Sequence, residues 1–114
     1  MSATEDVARE HVEAFNAAVS SGDFDLFVER FSDEAVLRFE NVPGAGTLEF
    51  AGRAAIAAAY REQPPDDQID IDGVAHADGE TILVPFAWRR DRGRGVMRIT
   101  RHGDRITWMT ISFE

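Results

Sequence analysis

At 114 residues the chain has room for one domain with one hydrophobic core, and no apolar run approaches the roughly 18 residues of a membrane span. There is no cysteine, which removes disulfides, thiolate nucleophiles and thiolate metal sites; all 12 basic residues are arginine, which removes a lysine Schiff base. The net charge of −9 is uneven, because residues 89–105 hold seven Arg against Asp91 and Asp104, a strip of +5 on a remainder of −14. Such a strip fits a solvated hairpin or an acidic partner, while repulsion from the acidic body disfavours a nucleic acid.

In chain order, a first helix is expected over residues 2–20. Ser2 and Glu5 have capping-box spacing, and Val7, Ala8, His11, Val12, Phe15 and Val19 form one apolar stripe. The polar, acidic start is unlike a signal peptide, so a cytoplasmic location is expected, and the Ala-rich, all-Arg usage suits a GC-rich bacterial genome. Asp23 is a natural N-cap for a second short helix, with Phe24, Phe27, Val28 and Phe31 on one face. Ser32-Asp33-Glu34 breaks that period, and residues 35–40 read as a strand. Residues 41–46 have loop chemistry, 47–50 suit a short strand, and 53–62 predict a third helix that Pro64-Pro65 stops.

The second half reads as strands alone, over 68–77, 81–90, 95–102 and 105–113. Glycines at 79, 93, 95 and 103 supply the turns of hairpins. Helices followed by a meander predict an α+β domain over residues 1–114, a strongly bent antiparallel sheet packed on three helices. Alternation places Met97 and Ile99 opposite Arg98, and Met109, Ile111 and Phe113 opposite Trp108, Thr110 and Ser112. Ile82, Val84, Phe86 and Trp88 likewise share one face, and Pro85, lacking an N–H, belongs at an edge or bulge. Trp108, on the mixed face, suggests either a solvent-shielding patch or a subunit contact, and a homodimer through this face is expected.

Three segments carry a family resemblance. The run Gly22-Asp23-Phe24-Asp25-Leu26-Phe27 through Phe31, the acidic pair Asp33-Glu34 before Ala35, and Phe50-Ala51-Gly52-Arg53-Ala54-Ala55-Ile56 resemble, in order and spacing, the nuclear-transport-factor-2-like superfamily, in its SnoaL-like or ketosteroid-isomerase-like branch. The resemblance covers essentially the whole chain. It implies a cone-shaped domain with an apolar internal pocket, shared by isomerases, polyketide cyclases, epoxide hydrolases, dehydratases and members without known activity, so fold alone does not define function.

Carried across residue by residue, the resemblance places the isomerase's oxyanion-hole tyrosine at Phe15, its base at Phe39 and its protonated aspartate near Met97. Phenylalanine and methionine neither abstract a proton nor donate a hydrogen bond to an enolate, so that mechanism is excluded in this register. The epoxide hydrolase arrangement of Asp, Arg and Asp also finds no match, because Arg98 points away from the apolar face. Tyr60 resembles a supporting tyrosine of those isomerases; its hydroxyl either serves a ligand or ties to backbone. His11, one turn before Phe15, is either a pocket base or a structural histidine. Glu40 points away from Phe39, and His76 and His102 lack metal-site spacing, so neither a metal nor another cofactor is expected.

The leading expectation is a cavity for a small apolar, cyclic or aromatic molecule, lined by Phe15, Leu37, Phe39, Tyr60, Phe86, Trp88, Met97, Met109 and Phe113, with His11 and Tyr60 as orienting polar groups. Two alternatives stand beside it. One is a cyclase-, isomerase- or dehydratase-like enzyme using His11 with Tyr60. The other is an interaction module with a filled cavity and a working surface around Trp108. No nucleic-acid or membrane partner is expected.

Overall fold

In the computed structural model, which describes residues 3–114, the first helix, α1, runs Ala3–Ser21 and buries Ala8, His11, Val12, Phe15 and Ala18 on one side. The three- and four-residue spacing of these positions is what makes that side continuous. Ser2, and with it the expected capping box, lies outside the described residues. Asp23, the expected N-cap, accepts the Asp25 N–H through its carboxylate at 2.9 Å, but the N-cap position falls to Phe24, and the helix α2 is only Asp25–Val28. Phe31, expected on that helix, instead opens a long strand, β1 (Phe31–Val42). The aromatic spacing is helical there, yet parallel pairing of Phe31 with Ile106 draws the chain into the sheet.

After β2 (Gly46–Ala51), α3 spans Arg53–Glu62 and packs on β1 and β2. The expected strand over 68–77 is two short strands, β3 (Ile69–Ile71) and β4 (His76–Asp78), both antiparallel to β5 (Thr81–Trp88). Gly73, at φ 137, turns the chain between them. Pro85 lies opposite this break, where its carbonyl accepts the Asp72 N–H at 2.9 Å and no ladder needs the N–H it lacks. Asn16 of α1 clamps β3 by donating to the Ile69 carbonyl and accepting the Ile69 N–H, each at 2.9 Å.

The last strands, β6 (Arg94–His102) and β7 (Arg105–Phe113), complete a seven-stranded sheet of order β2-β1-β7-β6-β5-β3, with β4 also on β5. One pairing departs from the antiparallel expectation, since β1 and β7 run parallel. The curved sheet is therefore mixed. Local pattern sets which face of a strand is apolar, whereas direction between strands some seventy residues apart depends on how the whole chain folds back. The registers align apolar rows across the inner face, such as Leu37, Met109, Ile99 and Ile82.

Gly95 has a role the turn reading did not contain. It lies inside β6, opposite Phe86 and Phe113, and a Cβ there would stand 2.5 Å from the Ser112 carbonyl oxygen and 2.7 Å from Phe86 Cζ. The absence of a side chain lets the Phe86 ring lie against the strand. The positive φ in the β5–β6 turn belongs instead to Arg92, at 64°.

A candidate ligand chamber and its apolar groove

The concave side of the sheet and the helices enclose a chamber of about 40 Å³. From α1 come His11 and Phe15; from α3, Tyr60; from the sheet, Phe39, Phe86, Trp88, Met97, Met109 and Phe113. Leu37, expected with them, lines a larger outer groove of about 280 Å³ instead. Phe39, Tyr60, Pro65, Trp88 and Phe113 border both spaces, so chamber and groove are contiguous. At this boundary Phe113 lies nearly parallel to Phe39 (centroids 6.3 Å apart, planes 6° apart) and to Trp88 (6.5 Å, 10°). These rings stand at the boundary between the chamber and the groove.

Three further residues of the lining fall outside the expected set. Ile111 completes the chamber and was legible from its alternation with Thr110 and Ser112. Pro65 and Ile69 were not, because only the return of the chain after α3 brings them in. In the groove, Phe50 and Leu48 face inward beside Leu37 and Phe39 through the β1–β2 register.

His11 is the unusual member of this lining. It is 1% exposed, and neither ring nitrogen has a hydrogen-bond partner. Its ring tilts against Phe27 at 5.3 Å. Burial, reinforced by the nearby Arg30 charge, lowers its pKa from 6.5 to about 3, so the imidazole is neutral at physiological pH. Tyr60 is also buried, stacked on Phe24 at 4.9 Å, and burial pushes its hydroxyl pKa well up. The structure thus brings both expected polar groups to one cavity, in forms that exchange hydrogen bonds but resist gaining or losing protons.

The other polar candidates lie elsewhere. His76 and His102 are exposed, and among the described residues no group of three His, Asp or Glu could hold a metal. Glu40 is on the outer face, where the Ser112 hydroxyl donates to it at 2.9 Å and Arg38 at 3.0 Å. The hydrogen bond from Ser112, partly opposed by desolvation and supported by Arg38, holds the Glu40 pKa down. The arginine strip is largely matched within the chain: Arg89 pairs with Asp70 at 2.8 Å, Arg90 with Asp67 at 3.3 Å and Arg94 with Asp72 at 3.1 Å. Trp108 is 41% exposed on the outer face and donates through Nε1 to Thr110 Oγ1 at 2.8 Å. Among the described residues no helix is long and apolar enough to cross a membrane.

Residues 12–113 match the family model of the SnoaL-like domain. Among curated proteins, none matches this sequence. Solved structures with the same fold include a Bacillus subtilis protein described as a candidate isomerase, at TM-score 0.73 and 17% identity, covering 100% of this chain and 90% of that one. Another is an NTF2-like protein of unknown function from Burkholderia xenovorans (TM-score 0.69, 18% identity, 99% and 87% covered). A third, from Sinorhizobium meliloti, is described as a candidate polyketide cyclase (TM-score 0.63, 22% identity, 90% and 93% covered). At these identities the likeness concerns the fold.

Proposed function

The chain belongs to the SnoaL-like domain family, and from that premise we propose that it binds a small apolar molecule in the groove and chamber around Phe39, Tyr60, Trp88 and Phe113. The observation that carries this reading is His11, a buried imidazole on the chamber wall with both nitrogens unpartnered. A buried polar group without a partner costs about 1–3 kcal/mol, so its place in an otherwise apolar cavity is explained by a ligand that completes it. A mostly apolar cleft with a few polar groups is the usual form of a small-molecule site.

Acid–base catalysis is the weaker reading. A base with a pKa near 3 has little proton affinity at neutral pH, and a buried tyrosine with a raised pKa is a poor acid. Both residues suit orientation of a ligand better than proton transfer.

Ligand binding is expected to change tryptophan emission, because Trp88 borders both spaces. In a Trp108→Phe protein Trp88 is the sole reporter. A screen of aromatic and alicyclic compounds should yield hits that both shift that emission and raise Tm. A broad screen with neither response would count decisively against the reading.

A homodimer through the outer sheet face accompanies this proposal. There Trp108 is exposed, and Arg38 and Arg98 balance Glu40 and Glu49, leaving a locally neutral patch on a chain of −9. Neutrality favours a second copy at this face over faces where like charges would meet. Trp108→Arg should convert the dimer to monomer in sedimentation velocity, with its circular dichroism unchanged. A parent protein that sediments as a monomer at all concentrations would remove the dimer and leave the ligand site untouched.

A further inference from the structure

We propose that the ligand is uncharged and carries a hydroxyl or carbonyl head group, which lodges in the chamber against His11 while its apolar ring system occupies the outer groove. This rests on the reading of the cavity as a ligand site and adds the chemistry of the head group.

Size divides the ligand first. The chamber, about 40 Å³, holds a hydroxyl or carbonyl but no ring, whereas the groove, about 280 Å³, accepts a ring system. Since Phe39, Trp88 and Phe113 border both, a head group reaches the chamber past these side chains while its body stays outside them.

The lining then selects the charge. No Asp, Glu or Arg lines the chamber, so a carboxylate or an ammonium there would be desolvated with no charged side chain in contact with it. Arg30, whose charge acts on His11, is not part of the lining and offers an anion no hydrogen bond inside it. A neutral imidazole presents one donor and one acceptor. An alcohol or phenol can use either, and a ketone can take the donor. Tyr60, on the same wall, is placed to meet a second polar atom of the ligand.

Three probes of nearly the same shape test the assignment: cyclohexylbenzene, 4-cyclohexylphenol and 4-cyclohexylbenzoate, each titrated into the Trp108→Phe protein while Trp88 emission is followed. The phenol is expected to bind roughly ten-fold more tightly than the hydrocarbon, the gain of one hydrogen bond to a buried unpartnered group, and the benzoate most weakly. In a His11→Phe background the phenol should lose that advantage while the hydrocarbon still binds. Equal affinity of phenol and hydrocarbon, or tightest binding of the benzoate, would overturn the head-group assignment and leave the apolar site standing. Failure of all three probes to bind would overturn the ligand site itself. An advantage of the phenol that persists in His11→Phe would move the head group's partner away from His11 and so also reject the inference.

Discussion

His11→Phe is expected to stabilise the fold by about 1–3 kcal/mol at neutral pH, the range for removing a buried polar group that lacks a partner. The ring it introduces is larger, but the adjoining chamber of about 40 Å³ can take the added bulk. The pH dependence is the sharper signature. His11 has a folded pKa of about 3 against its ordinary value of 6.5, so between those values the unfolded chain binds the proton and the folded one does not. Keeping His11 neutral in the fold therefore adds no pH-dependent cost above pH 6.5, and stability is lost progressively as pH falls toward 3. The slope approaches about 1.4 kcal/mol per pH unit, a loss of about 2 kcal/mol by pH 5. The Phe variant lacks this pH dependence, so its advantage over the parent should widen as pH drops from 7 to 5. Denaturant titrations at the two pH values measure it. A variant less stable at pH 7, with the parent's pH slope, would mean that His11 is hydrogen-bonded in solution. The expected pattern is that of a functional site, where stability is forgone to keep a binding group.

Gly95→Ala should be among the most damaging single-methyl additions in the chain. The new Cβ meets a backbone carbonyl at 2.5 Å and the Phe86 ring at 2.7 and 2.8 Å, and Ser112 cannot yield without moving β7. Overpacking of this kind costs about 3 kcal/mol at the upper end of its usual range, or a fall in Tm of roughly 10 °C or more. Because Phe86 lines the chamber, its displacement should also weaken probe binding in whatever fraction stays folded. Gly93→Ala is the matched control: its Cβ meets Asp91 Oδ2 at 3.0 Å, the far end of an exposed side chain, and should change stability by about 0.5 kcal/mol or less. Equal thermal shifts for the two substitutions would show that Gly95 is a turn residue after all.

Much of the site follows from short-range periodicity. Met109, Ile111 and Phe113 are on one face because side chains alternate along a strand, and His11 joins Phe15 because four residues make about one helical turn. What escaped this reading depends on partners far away in sequence. Leu37 faces the groove and not the chamber because of where β2 and α3 bring Phe50 and Ala59. Gly95 resembles a turn glycine until Phe86 is seen across the ladder from it. The arginine strip looks like a basic surface until Asp67, Asp70 and Asp72 are found paired with it.

The α+β class, the apolar faces, the family and most of the chamber wall are legible in the sequence, since helical and strand periods are written in neighbouring residues. Long-range packing, by contrast, set the parallel contact of β1 with β7, the split of residues 68–77 into two strands, and the division of the apolar interior into a small chamber and a larger groove. It also set the state of His11. A histidine on an apolar stripe can be charged, bonded or bare; here burial by Phe27 and its neighbours, with no acceptor or donor in reach, leaves it neutral and unpartnered.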